Sequence, residues 1–287
     1  MANKGLQYEW ALLYYVKDMI VDKTPTDIAE MNEAKLKMGG NYEVIQSAQK
    51  MITKILDTEM SGILNPITKN DVWKSFTKLS GGDEPKTDIY FKIGIKEYKC
   101  SVKYGPNYQL SSGGIKSSTK LIESVVNKMK ADNNITIDNA KLLLGIVINL
   151  DKFANVGVKR QSEIKTLLNP VRVRSGADKF EYMSLQEQLQ YTLGSGRKKT
   201  PAEAFIGFKY ALVYEALTGE HTFKNNPIKA ANYVLNEYDL VPITEDFAKS
   251  VMNKASARIS MKGRNKKIEN GKEIRYNEIT VRIDAKR

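Results

Sequence analysis

Apolar residues recur at helical spacing over residues 6–20 (LQYEWALLYYVKDMI). They do so again over 42–60, where Val44, Ile45, Ile52, Ile55 and Leu56 mark one face, so both stretches read as helices. The pattern over Lys69 to Leu79 is poor, with room for a short strand within it. The turn-formers Ser80-Gly81-Gly82-Asp83-Glu84-Pro85 then introduce a hairpin. Asp88 opens its first strand, the turn falls near Gly94 to Lys96, and the second strand ends on Ser101-Val102-Lys103. After a loop rich in Gly, Asn and Ser, Ser117 or Ser118 is placed to cap a helix running to Lys130. Leu121, Ile122, Val125, Val126 and Met129 stripe that helix. The run LLLGIVINL at 142–150 is short, partly β-branched and bounded by polar segments. It reads as a strand buried on both faces, with parallel neighbours beneath helices.

The second half changes character. Residues 184–193 and 201–217 read as helices, the latter with Thr200 as N-cap, Pro201 in the first turn and Glu203 closing a capping box. Gly219 is the expected stop. Further helix is expected over 227–236 and 244–255. Strand patterning returns from 257 to the end around Asn270-Gly271, a strong hairpin signal. The predicted class is therefore α/β. A mixed β-sheet flanked by helices fills residues 1–180, and a helical, basic C-terminal region over 181–287 ends in a β-hairpin.

Charge sharpens this picture. The 287 residues carry 45 Lys and Arg against 33 Asp and Glu, a net charge of +12 that favours a polyanionic partner, nucleic acid first. The final stretch from 257 holds half of that excess. The basic clusters Arg172/Arg174, Arg197-Lys198-Lys199 and Arg264, Lys266 and Lys267 are the expected DNA backbone contacts, with Lys159-Arg160 beside them. Tyr104, Tyr108 and Tyr276 are candidates for stacking on bases. His221 is the sole histidine, which argues against a zinc hydrolase. Cys100 is the sole cysteine and reads as a buried small hydrophobe, in keeping with a cytoplasmic protein. The longest apolar run is about half a membrane span, so no membrane partner is expected.

The hairpin carries the candidate chemistry. With the turn centred on Ile95, Asp88 falls opposite Val102 and within one residue of Ser101 and Lys103, and cross-strand neighbours lie about 4.5–5.5 Å apart. A carboxylate can hold a divalent cation, and a nearby ammonium can orient and polarise a water. A rival pair, Glu97 and Lys99, lies nearer the turn, roughly 13 Å along the strand, too far to share a first-shell cation with Asp88.

Pro85-Lys86-Thr87-Asp88 followed by Ser101-x-Lys103 resembles the PD-(D/E)XK nuclease superfamily, in the branch seen in phage-encoded and restriction-type endonucleases. Gln109-Leu110-Ser111-Ser112-Gly113-Gly114 is similar to a segment that often follows the lysine there. Glu215 to Phe223 (EALTGEHTF) is similar to a later segment of the phage-type members. The resemblance implies a restriction-endonuclease-like core running helix, three strands, helix, strand. It further implies a metal-dependent endodeoxyribonuclease that uses Mg²⁺, with Mn²⁺ as a substitute. On this reading Asp88 binds the metal, the backbone carbonyl of Val102 is a further ligand, and Lys103 positions the attacking water. Glu9 on the first helix completes the site, with Glu43 in reserve, and Gln109 contacts the lysine, the water or the phosphate. Ser101 departs from the Asp or Glu that many relatives carry, which lowers metal affinity without DNA and favours one metal over two. DNA is the implied partner, and a homodimer fits enzymes that cut both strands. Two alternatives stay open: a catalytically inactive DNA-binding protein on the same scaffold, and a nuclease for RNA or branched nucleic acid.

Overall fold

A computed structural model describes residues 3–61, 68–79, 85–111, 114–168, 183–194 and 201–287. In chain order the helices and strands are α1 (Lys4–Asp18), α2 (Pro25–Met38), α3 (Tyr42–Glu59), α4 (Lys69–Ser75), β1 (Thr77–Lys78), β2 (Ile89–Ile93), β3 (Lys96–Lys103) and β4 (Asn107–Ser111). Then come α5 (Ile115–Ala131), α6 (Ile137–Asp151), β5 (Gly157–Val158), α7 (Gln161–Leu168), α8 (Leu185–Leu193) and α9 (Ile206–Thr218). The chain closes with β6 (Tyr233–Asn236), β7 (Leu240–Pro242), α10 (Glu245–Lys254), β8 (Ala255–Glu269) and β9 (Lys272–Lys286). The class is α/β with mixed sheets and flanking helices. Among the described residues, no helix is long and apolar enough to cross a membrane.

The chain forms two compact units, each assembled from two stretches. One unit joins Met1–Tyr108 to Leu217–Phe247, and the other joins Gln109–Ala216 to Ala248–Arg287. The expected division near 180 lies outside the described residues.

The first unit is built on a five-stranded sheet in the order β1-β2-β3-β6-β7. All neighbours are antiparallel except β3 and β6, which run parallel with Lys103 beside Asn236. Alternation sends Ile89, Phe91 and Ile93 of β2 and Tyr98, Cys100 and Val102 of β3 into one core, with Tyr8, Leu12 and Val16 of α1 and Ile52 and Ile55 of α3. Phe76, Phe91, Tyr98 and Tyr233 form a run of ring contacts through that core, at 5.4, 4.7 and 4.9 Å between successive centroids. Each such side chain contributes about 1.5–3 kcal/mol on burial. The helix α2 has no counterpart in the sequence reading. Thr24 and Asp27 form a capping box around Pro25 at its start, and the buried Lys17 of α1 grips it through Asp27 (2.9 Å) and Glu30 (2.8 Å). Burial pushes the Asp27 carboxyl up, but hydrogen bonds from Thr24 and Lys17 outweigh it and hold the group down at about 2.

The second unit packs α5 against α6 and pairs β9 with β4, β5 and β8. β8 and β9 form a long hairpin whose turn, Asn270-Gly271, takes φ of 51° and 73°, as expected for that dipeptide. The buried Lys209 of α9 donates to the carbonyl of Ala255 at 2.7 Å.

Several expectations are overturned. Residues 142–150 lie in the helix α6, not in a strand. Thr136 caps it through the N–H of Asn139, and Ala140, Leu143, Ile146, Val147 and Leu150 are buried at three- and four-residue spacing while Ile148 is exposed. The apolar run hid a helical stripe because its preceding cap was not read with it. The strand beside β3 is instead β6, within residues expected to be helical, and only Pro227–Lys229 form a 3₁₀ turn there. Neither Ser117 nor Ser118 caps α5. The helix begins earlier, at Ile115 with Gly114 as its N-cap, and the Ser118 hydroxyl donates to Val281 O at 3.3 Å. The short strand expected within Lys69 to Leu79 is present as the two-residue β1, after the helix α4 that was not expected. Thr200 lies outside the described residues.

Candidate active site

The turn of the β2–β3 hairpin fixes the site. Ile93 pairs with Lys96 and Ile89 with Cys100, so the next step brings Asp88 opposite Ser101, one residue from the expected register. Asp88 extends the ladder, its N–H donating to Cys100 O at 2.9 Å and its carbonyl accepting from Leu79 N at 2.8 Å. Ile89 points into the core, so Asp88 falls on the opposite face with Ser101 and Lys103. The backbone N–H of Val102 donates to Asp88 Oδ2 at 2.7 Å. The Asp88 carboxyl is raised above its ordinary 3.8, chiefly by burial. The charge of Lys103, the Val102 N–H, Lys78 and Lys86 all pull the other way. Beyond the backbone ladder to Asn236, the Lys103 side chain forms no hydrogen bond or ion pair with the described residues.

Glu9 joins this group. It follows the fully buried Tyr8 on α1, and its carboxylate accepts from Lys78 Nζ of β1, with side chains only 15% and 8% exposed. Burial first, and then the charge of Asp88, push Glu9 from 4.5 up to about 7, against the opposing pull of Lys78 and Lys103. Glu43, the reserve, instead pairs with Lys4 at the surface at 3.2 Å. Tyr8 OH donates to Asn236 O at 3.0 Å, and Asn236 is the register partner of Lys103, so α1, β3 and β6 are tied together at this end of the sheet.

A second segment singled out in the sequence meets the first. Gly219, with φ of +63°, ends α9, and a Cβ there would lie 2.7 Å from Lys86 Cγ and 2.8 Å from Phe223 Cδ2. Only glycine admits both that backbone angle and that approach. Lys86 and Thr87 in turn donate from their backbone N–H groups to Lys229 O, at 2.9 and 3.1 Å. The turn after α9 thus packs on the strand entry that carries Asp88.

Other expected residues fall elsewhere. Gln109 belongs to the second unit, where its Oε1 accepts from Arg282 at 3.2 Å. Arg172, Arg174, Arg197, Lys198 and Lys199 lie outside the described residues, as do the side chains of Arg264 and Lys267 in β8. Lys266, also in β8, is exposed and pairs with Glu273 at 3.0 Å. The tyrosines are largely structural: Tyr104 packs on Tyr8 at 5.0 Å, Tyr108 is buried, and the Tyr276 ring covers Gly157. Lys78 was missed, because a two-residue strand leaves no periodic signal.

Among the described residues, no three Cys, His, Asp or Glu side chains cluster as a metal site. The donors at hand are two carboxylates, the Ser101 hydroxyl and the Val102 carbonyl. This all-oxygen set suits Mg²⁺ or Mn²⁺ rather than zinc. Two mutually repelling carboxyls, raised by burial, would gain from a cation between them, so the residues fit such an ion. Compared with known proteins, the chain matches no family model, no curated protein and no solved structure.

Proposed function

We propose that this chain is a Mg²⁺-dependent DNA endonuclease with a restriction-endonuclease-like core. One observation carries the reading: Asp88, Glu9 and Lys103 gather at one rim of the sheet, with Glu9 pushed up to about 7. The chain order also supports it. α1 precedes the antiparallel β1-β2-β3, and the parallel strand β6 follows after the excursion through the second unit. β6 takes the place first expected of residues 142–150.

Asp88 and Glu9 would hold the ion, with the Val102 carbonyl as a further donor. Bound Mg²⁺ would polarise the scissile phosphate and lower the pKa of a coordinated water. The Lys103 ammonium, free of other partners among the described residues, orients the attacking water and offsets charge building on the phosphate. Ser101 adds no charge, so the site takes a cation weakly until substrate phosphate contributes oxygens. Basic residues of the C-terminal region, Lys266 among them, contact the DNA backbone. Six to ten such contacts would weaken binding about 10³–10⁵-fold between 50 and 200 mM salt. The reading places the protein in the cytoplasm, with a homodimer as the form that cuts both strands.

The test incubates supercoiled plasmid with purified protein, with Mg²⁺ or with EDTA, and reads nicked and linear products. Cleavage in Mg²⁺ alone is expected. Its absence on duplex, single-stranded, branched and RNA substrates alike would leave a DNA-binding scaffold without catalysis.

A further inference from the structure

Two lysines face the carboxylates, and they are used differently. Lys103 has no ion pair with the described residues, whereas Lys78 is committed to Glu9 Oε2. The Lys78 side chain is nearly enclosed, and its Nζ also lies 5.0 Å from the centroid of the Trp10 ring. Glu9 Oε1 accepts no hydrogen bond from the described residues. A carboxylate in this enclosed position therefore has one oxygen taken by an internal cation and one oxygen open.

We propose that Lys78 is a displaceable counter-ion of the site, occupying Glu9 until a divalent cation takes its place and thereby setting how weakly the protein loads metal on its own. This rests on the metal site of the endonuclease reading. An ammonium and a divalent cation on one carboxylate repel strongly where water is scarce, so Lys78 must yield as the ion arrives. Lys78 Nζ already lies over the Trp10 ring, which it shares with Lys37 Nζ at 4.5 Å, so the ring keeps attracting the ammonium as its hold on Glu9 is lost. Lys78 is thus a positioning residue, acting on substrate only through Glu9.

Calorimetric titration of the full chain with Mn²⁺ tests this. Lys78→Met, which keeps the apolar stem, is expected to bind Mn²⁺ at least about tenfold more tightly than wild type. Lys78→Arg, retaining the charge, is expected to stay near wild type. In a Glu9→Gln background the Lys78→Met gain is expected to vanish. A second measurement needs no altered lysine: Mg²⁺ should change Trp10 emission, taken as wild type minus Trp10→Phe. Unchanged or weaker Mn²⁺ binding in a folded Lys78→Met protein, or Trp10 emission indifferent to Mg²⁺, overturns the inference while leaving the endonuclease reading intact. If wild type binds no Mn²⁺ even with DNA present, both fall.

Discussion

The two ends of the β2–β3 hairpin each bring acids and lysines together, and they do opposite things with them. At the turn end both acids are matched. Glu97 pairs with Lys92 at 3.1 Å and accepts from Tyr90 OH at 2.9 Å, and these hydrogen bonds lower its pKa. Glu59 accepts from Tyr98 OH and from Lys96 at 3.3 Å, and the Lys96 ammonium also lies over the Tyr98 ring. At the open end, Asp88 and Glu9 are raised, and Lys103 is unpaired among the described residues. Satisfied charges lock a fold, whereas charges held together without full compensation can be used on a ligand. The Glu97–Lys99 spacing looked like a rival site in the sequence, and the commitment of Glu97 to Lys92 and Tyr90 now counts against it.

The sharpest way to break this comparison is to remove one charge at each end. Asp88→Ala and Lys103→Ala are each expected to lower plasmid cleavage at least about 100-fold, a loss on the scale of acid–base and electrostatic groups, with DNA affinity largely retained. Glu97→Gln is expected to cleave like wild type. Equal rates for Asp88→Ala and Glu97→Gln in the same assay would erase the distinction between the ends.

A smaller effect lies in pH. Glu9 binds a proton up to about 7 in the folded protein but only to 4.5 in its ordinary state. The folded state therefore holds the extra proton between those values, and its stability falls as pH rises through about 7. Without divalent cations, urea denaturation at pH 5.5 and 8 should show this loss, about 2 kcal/mol from the part of the shift that lies above pH 5.5. The raised Asp88 adds in the same direction. Glu9→Gln should flatten the dependence, and a pH profile identical to wild type would contradict the burial assigned to Glu9.

The smallest effect sits at the turn end. Tyr98→Phe removes the hydrogen bond to Glu59 but keeps the ring stacked on Phe91, and should cost about 1–2 kcal/mol of stability. Cleavage measured well below the melting temperature should be unaffected. A large fall in cleavage would mean that the two ends are coupled.

Much of the site could be read from local sequence. A hairpin closed by Gly94-Ile95 sets its own register, so Asp88, Ser101 and Lys103 meet whatever surrounds them. Glu9 was reachable only through the family resemblance, and Lys78 had no local signal at all. The choice of Glu9 over Glu43 needed the packed position of α1, with Tyr8 reaching Asn236. The apolar run at 142–150 misled because a short buried segment is ambiguous between helix and strand. Thr136 and the spacing of Leu143, Ile146, Val147 and Leu150 resolve it.

By itself the sequence determined the hairpin, several of the amphipathic helices, the positive charge and the placing of one acid beside one lysine, all governed by neighbours within a few residues. Tertiary structure alone decided which strand lies beside β3, which glutamate joins Asp88, and that Lys78 stands between that glutamate and Trp10. Those choices join residues that the chain brings together only after long excursions. The energy that selects them comes from a shared core and a common desolvated pocket of charge, which no short stretch of sequence contains.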